Sequence, residues 1–392
     1  MDTSGHTSDR AGELALVDGK YLAFVPHALP PAVAYSPSLV ASLSLADQAL
    51  GGINQLSSFI PNPRLMIVPL AGIEAVSSSK IEGTVTTVDE VFEAQVTAGD
   101  GHAEPVREVL SYLRALEEGA NTARDRTLDL ALVCSLHQQL MDGAHGRSKC
   151  PGEFRQVQVY VGSRYVPPPA ELLPGLLANW QEFVAKATAS AAVVQCAIMH
   201  AQFELIHPFV DGNGRVGRLL MTLLLIKRGC LAQPLLFLSP YFERNRREYY
   251  DRLLAVSQKG DWEGWIEFFC RAVKTQAEYG IRTARSLTVL REEFRHTVGQ
   301  GTSSAAALEA VDLLFEHPYL TSRTIVDRLA MTAQGARKML ARLEQLGIIA
   351  ATTGPHRGRV YCAERVLEVI REAENPLASQ RPETFTEEEL RR

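Results

Sequence analysis

The 392-residue chain reads as a mainly α protein: a helical domain carrying one β-hairpin flap, then a C-terminal module of three helices and a two-stranded wing. Three observations predict this. Apolar residues recur at helical spacing through most of the first 285 positions. Phe154 to Pro169 breaks that rhythm, because Val157, Val159 and Val161 alternate with Gln156, Gln158 and Tyr160, the period of a strand. From about 304 the pattern changes again, to three short helices (about 305–316, 322–330 and 333–346) ahead of a strand–turn–strand run.

The elements follow in order. Residues 1–18 are polar and read as a disordered tail, as do 373–392. Region 19–103 holds "SPSLVASLSLADQALGGINQL" as one helix and "MIVPLAGIEAVSSSKIEG" as a second, ending near Gly83. "TVDEVFEAQV" gives a third, with Thr87 as N-cap and Glu90 three residues on. Region 104–285 is the main helical domain, and Ala185 to Ile206 reads as a core helix within it. Val216, Leu219, Leu220, Leu223 and Leu224 then mark one buried helix face. Residues 286–303 are a helix end and linker, and 304–372 form the last module.

Hydrophobic residues make up 46 % and charged ones 22 %, enough for a packed interior. The net charge of −5 argues against a wholly nucleic-acid-coated protein and leaves room for a local basic patch. None of the six cysteines forms a C-x-x-C pair, which suits reduced thiols. The polar N-terminus is unlike a signal peptide, and no apolar run approaches the roughly 20 residues of a membrane span. The expectation is a soluble cytoplasmic protein without membrane contact.

The densest chemistry lies in "HPFVDGNGRVGR", His207 to Arg218. Gly212 and Gly214 flank Asn213 just before a helix, where backbone N–H groups and the helix dipole make a ready anion site. Arg215 and Arg218, at i and i+3, project together as forked donors suited to a di- or triphosphate. His207, at the end of the preceding helix, has the side chain best matched to taking a proton near pH 7. Asp211 beside a phosphate site implies a bridging divalent cation, since Mg²⁺ takes one or two carboxylates plus phosphate oxygens. The local reading is phosphate-ester transfer from a nucleotide.

Every defined position of these twelve residues fills the Fic motif, H-P-F-x-(D/E)-G-N-G-R-x-x-R. "EAVSSSKIEGT", "PGEFR", "HAQFELIHPF" and "NRREYYDRL" also resemble the Fic family in order and spacing, so the resemblance spans roughly residues 25–285. It implies AMP transfer from ATP to a Ser, Thr or Tyr hydroxyl of a target protein or of the chain itself. By that resemblance His207 is the base and Asp211 holds Mg²⁺ or Mn²⁺. Gly212, Asn213, Gly214, Val216 and Gly217 contribute to the nucleotide site, Arg215 grips the β-phosphate and Arg218 the γ-phosphate. Tyr249, Tyr250 and Leu253 fall where relatives line the adenine pocket, and the hairpin at 154–166 docks the target by strand addition. The family's phosphate-transferring branch has lysine in place of the second glycine, whereas this chain keeps Gly214.

A second motif, Ser78 to Gly83, fits (S/T)-x-x-x-E-(G/N). Ser78 and Glu82 share a helix face and Gly83 suits a helix end. In self-inhibited Fic proteins this glutamate pairs with the second motif arginine, here Arg218, and can also align a water for removal of AMP. The C-terminal module resembles a winged helix. Arg337, Lys338, Arg342, Arg357 and Arg359 against Glu344 make its second helix and wing positive, which suits DNA phosphates as well as it suits a protein or homodimer contact. The competing functional reading is a DNA-binding regulator that uses the Fic domain as a nucleotide sensor.

Overall fold

The computed structural model describes residues 6–17, 19, 21–59, 62–97, 102–142, 150–162, 164–186, 191–300, 305–352 and 359–374. The chain divides into two compact units, one of residues 1–94 and 99–281, the other of 95–98 and 282–392.

The first unit is a helical bundle behind an N-terminal hairpin. Strands β1 (Gly12–Val17) and β2 (Tyr21–Pro26) pair antiparallel, with Gly12 opposite Pro26 and Val17 opposite Tyr21. The polar tail expected over 1–18 is therefore a strand from residue 12. Apolar residues on β2 bury Ala23 and Phe24, and the segment before β1 is tied down by Arg10, which donates to both Glu263 carboxylate oxygens at 2.7 and 2.5 Å. The expected helices follow as α1 (Pro37–Phe59), α2 (Arg64–Ile81) and α3 (Val88–Ala94). At α3 the capping box is formed: the Glu90 N–H donates to Thr87 Oγ1 at 3.2 Å and the Thr87 N–H to Glu90 Oε2 at 2.9 Å.

Helices α4 (Glu104–Ala123) and α5 (Leu130–Met141) come next, then α6 (Leu173–Ala185), α7 (Ala192–Ile206) and α8 (Asn213–Lys227). The single core helix expected over 185–206 is thus the end of α6 and all of α7; Lys186 is extended, and residues 187–190 lie outside the described residues. Helix α8 is the bundle's axis. It packs against α2, α4, α5 and α7 and is buried on all sides from Asn213 to Ile226, not on one leucine face. Helices α9 (Ser239–Arg244), α10 (Arg246–Lys259) and α11 (Trp262–Gly299) complete the series, and the division between units falls inside α11. Trp180 and Trp265 donate their indole N–H groups to the α7 carbonyls of Met199 and Ala197 at 3.0 and 2.8 Å, fixing the helix that ends at His207.

The hairpin expected at 154–166 is reduced to one bridge, Val161 opposite Tyr165, with Gly162 in the left-handed region (φ 56°) and Ser163 outside the described residues. The alternation of 157–161 is real, but the Arg155 guanidinium binds the carbonyls of Val157 and Pro168, and Gln158 binds that of Pro167, so side chains take backbone partners that a ladder would use. The returning chain pairs elsewhere: Phe24 N–H in β2 donates to Val166 O at 2.9 Å.

In the second unit α12 (Ala305–Glu316), α13 (Ser322–Leu329) and α14 (Ala333–Gln345) match the expected helices within a residue. Strands β3 (Tyr319–Leu320), β4 (Ala350–Ala351) and β5 (Tyr361–Cys362) form a sheet in the order β3-β5-β4, so the two-stranded wing gains a third strand from the link between α12 and α13. A further helix, α15 (Glu364–Glu374), was absent from the sequence reading; it buries Val366, Leu367 and Ile370. Residues 301–304, 353–358 with Arg357, and 375–392 lie outside the described residues. No helix among the described residues is long and apolar enough to cross a membrane.

Candidate active site

The His207–Arg218 segment joins the end of α7 to the start of α8. His207 caps α7 in the left-handed conformation (φ 50°), unusual for a residue with a side chain. Asn213 closes the loop by two hydrogen bonds to one residue: its Oδ1 accepts from Phe209 N–H at 2.8 Å and its Nδ2 donates to Phe209 O at 2.9 Å. The Asn213 side chain is therefore a staple between Phe209 and the start of α8. Gly212 precedes the helix at φ 79°, and a Cβ there would meet Met141 Sδ at 3.0 Å. The first intrahelical bond is Val216 N–H to Gly212 O at 3.1 Å, so the N–H groups of Asn213, Gly214 and Arg215 precede it, as at any helix start.

Two side chains from outside the His207–Arg218 segment hold this loop. Arg155, 2 % exposed, donates its Nε to His207 O at 2.8 Å and an Nη2 to Pro168 O at 2.6 Å, while its backbone N–H reaches Pro208 O at 2.9 Å. Its burial among carbonyls pushes its pKa down to about 10. His137 on α5 stacks on Phe209 with ring centroids 3.8 Å apart. Its Nδ1 accepts from Gly152 N–H at 2.8 Å, which leaves Nε2–H to donate to Asp211 O at 3.0 Å. That pair of bonds sets its tautomer, and burial keeps it neutral by lowering its pKa.

His207 Nδ1 lies 3.4 Å from Glu204 O, where a carbonyl permits only the donor role, so the lone pair is on Nε2. Burial pushes the His207 pKa down to about 4, and the imidazole is neutral at pH 7. Asp211 is half-exposed; its Oδ1 accepts from Gly212 N–H at 2.6 Å and lies 3.9 Å from Arg215 Nη2. No group of three His, Cys, Asp or Glu among the described residues is arranged to hold a metal. A lone carboxylate in an arginine-lined loop fits a cation that shares phosphate oxygens with it, and does not fit a resident all-protein site.

The two arginines are both buried and differently held. Arg218, 1 % exposed, donates Nε to Ser78 Oγ at 2.9 Å, and Nη2 to Ser78 O at 2.9 Å and Glu82 Oε1 at 2.7 Å. Burial works against its charge, but the Glu82 carboxylate more than offsets this and its pKa is raised. Arg215 makes long contacts, Nη1 to Glu108 Oε2 at 3.4 Å and Nη2 to Met141 Sδ at 3.7 Å, and its Nε is buried without a partner.

Helix α2 delivers Ser78 and Glu82 along one face that also carries Glu74. Glu74 accepts from Tyr112 OH at 2.9 Å, Ser239 N–H at 3.0 Å and Ser239 Oγ at 2.5 Å, which pins α2 to α4 and α9 one turn above Ser78. The helix ends at Gly83, in the positive-φ position that suits glycine (φ 96°). Glu82 reaches α8 at Gly214, where a Cβ would lie 2.1 Å from Glu82 Oε1. Only a glycine admits the carboxylate there.

Four of the other residues expected at the nucleotide site are buried in this structure. Val216 is fully buried, and a Cβ on Gly217 would lie 2.5 Å from Glu204 Oε1, so both serve packing of α8. Tyr249 is buried, with its hydroxyl 2.9 Å from His200 Nε2 and its ring stacked on Phe242. Leu253 is 9 % exposed. Tyr250 is 41 % exposed and its hydroxyl donates to Ile81 O at 3.4 Å, beside Glu82. Behind Arg218 lies a carboxyl the sequence reading missed: Glu204, whose buried Oε1 has no hydrogen-bond partner and whose pKa burial pushes up to about 8.

Residues 40–121 match the Fic/DOC family N-terminal region and residues 127–225 match the Fic/DOC family. The chain is 28 % identical over 185 residues to a probable protein adenylyltransferase of Aquifex aeolicus, covering 46 % of this chain and 53 % of that protein. It is 37 % identical over 123 residues to protein adenylyltransferase Fic of Culex quinquefasciatus, covering 30 % of this chain and 22 % of that one. The chain thus spans about half, or less, of the length of these curated relatives. Among solved structures, a Fic family protein from Desulfovibrio desulfuricans G20 superposes with a TM-score of 0.56 at 22 % identity, covering 86 % of this chain and 98 % of that chain. Fic-1 from C. elegans gives a TM-score of 0.53 at 18 % identity, over 64 % of this chain and 74 % of that one. Both likenesses are of fold.

Proposed function

We propose that this chain, which carries a Fic N-terminal region and a Fic domain, is a self-inhibited protein adenylyltransferase. The observation that carries the reading is the juxtaposition, by one stapled loop, of a neutral His207 with the N-terminus of α8 and its two arginines. His207 Nε2 takes the proton of a Ser, Thr or Tyr hydroxyl. That oxygen bonds to the α-phosphorus of ATP as the α–β bridging bond breaks, and pyrophosphate leaves. The α8 N–H groups and Arg215 stabilise charge on the phosphates, and the chemistry is mostly positioning and charge stabilisation. A Mg²⁺ or Mn²⁺ ion held by Asp211 neutralises phosphate charge when bound. The segment 154–166 presents the target.

Self-inhibition rests on Gly214. Glu82 is itself an anion lodged against the first turn of α8, and it holds the guanidinium the γ-phosphate needs. Because Glu82 keeps 37 % of its side chain exposed, it also suits a water-activating role in removal of AMP.

The test uses ATP labelled at either phosphate. The Glu82→Gly protein with Mg²⁺ should acquire the α-label and not the γ-label, and His207→Ala in that background should reduce labelling by about 10²–10⁴-fold. Incorporation of the γ-label, or full activity without His207, refutes AMP transfer by this base. Loss of the α-label from pre-modified wild-type protein after ATP is withdrawn tests the reverse activity; retention by wild type and by Glu82→Gly alike excludes it.

A further inference from the structure

We infer that the second unit binds duplex DNA through the exposed face of α14. This goes beyond the transfer activity and does not depend on it. Helices α13 and α14 are separated by three residues, with Ala330 in the left-handed region (φ 49°) turning the chain and Thr332 Oγ1 accepting from Gly335 N–H at 3.1 Å to start α14. Ala336, Leu340 and Leu343 form the buried side of α14. Gln334, Arg337, Lys338, Ala341 and Gln345 form the opposite, exposed side. An α-helix with side chains, about 10–12 Å across, fits a major groove about 12 Å wide. Glutamine, arginine and lysine are the side chains that bond phosphates and base edges, and alanine at 341 keeps the middle of the face low.

Charge separates the candidates for this face. On the two helices themselves, the acids Asp327 of α13 and Glu344 of α14 are already matched, with Arg323 at 3.4 Å and Arg359 at 3.4 Å. Arg337 and Lys338 take part in no ion pair among the described residues, so the face carries uncompensated positive charge. An apolar protein partner would need anchors, and residues 305–352 and 359–374 expose no large hydrophobic side chain. The face is therefore charged, polar and without a hydrophobic centre, which matches a polyanion rather than a protein groove.

The full chain is titrated against a fluorescent duplex of about 30 base pairs and mixed sequence, at about 50 and 200 mM salt. Binding should weaken steeply with salt. Arg337→Ala combined with Lys338→Ala should weaken it at least about tenfold at low salt and lower the log–log salt slope by about 1.8, two phosphate contacts at about 0.9 each. AMP transfer and the melting temperature should be unchanged, which separates this proposal from the preceding one. No binding at low salt, or an unchanged slope in the double variant, overturns the proposal. So does a double variant that shifts the sedimentation mass while DNA binding persists, since the face would then be a protein contact.

Discussion

Arg215 and Arg218 sit one turn apart on α8 and meet opposite surroundings. On the α2 side, Arg218 is saturated by short bonds to Ser78 and Glu82, all delivered by one helix that Glu74 anchors. On the α4–α5 side, Arg215 reaches Glu108 only at 3.4 Å and keeps a bare Nε. A guanidinium with loose, long contacts has donors to offer an incoming phosphate at little cost. One held by a carboxylate must first be released, and a charge-assisted bond contributes about 1.5–3 kcal/mol. The same residue type is thus loosely held on one side and, on the proposed function, a latch on the other.

The largest effect that would sharpen this contrast is loss of the latch. Glu82→Gly should raise self-labelling with α-labelled ATP by about 10–100-fold, the factor that 1.5–3 kcal/mol represents. Activity within twofold of wild type would dissolve the distinction between the two arginines. A smaller effect follows from Ser78→Ala, which removes the Nε bond but leaves the ion pair. Labelling should rise by about fivefold, from about 1 kcal/mol. Glu108→Ala, on the loose side, should leave the rate within about twofold; a rise equal to that of Ser78→Ala would show that both sides restrain the site.

The smallest effect concerns the buried acid behind Arg218. Burial raises the pKa of Glu204 in the folded chain to about 8, from its ordinary 4.5. The stability this proton linkage supplies is complete below pH 4.5 and is lost as pH rises to about 8. His200 and His207 titrate in the opposite sense, with pKa values lowered by burial to about 3 and 4, so their contribution grows as pH rises. Comparing Glu204→Gln with wild type isolates the carboxyl. The melting temperature of the variant minus that of wild type should increase from pH 5 to pH 8, by calorimetry. A constant difference would mean that Glu204 is ionised throughout.

The helices were legible where one local signal sufficed. Apolar spacing gave α1 and α2, Thr87 and Glu90 gave the start of α3, and the short amphipathic runs gave α12 to α14. The N-terminal hairpin was legible but unread: Asp18-Gly19 between "LALV" and "YLAFV" is a hairpin signal inside a segment judged by its polar start. The flap over-read its alternation, because Arg155 and Gln158 bind the carbonyls a second strand would need, and sequence periodicity carries no word of that competition. In the site, His207, Asp211, Arg215 and Arg218 stand out because they share one contiguous motif, and Glu82 because it shares a second with Ser78. His137 and Glu108 leave no such mark, because each reaches the site from another element, while Arg155 and Glu204 lie within "PGEFR" and "HAQFELIHPF" with nothing in the spacing to say what they touch.

The missing Cβ at Gly214 ties position 214 to position 82 by simple exclusion of volume. A methyl group there cannot coexist with the Glu82 carboxylate oxygen, so Gly214→Ala in the wild-type chain evicts the glutamate, whereas in a Glu82→Gly chain its nearest neighbour is the end of the Arg218 side chain, Nη1 at 2.8 Å. The consequences of the two substitutions are non-additive. Such epistasis makes the order of change matter: a chain that first loses Glu82 is free to vary at 214, and one that varies at 214 first loses the Glu82–Arg218 contact in the same step.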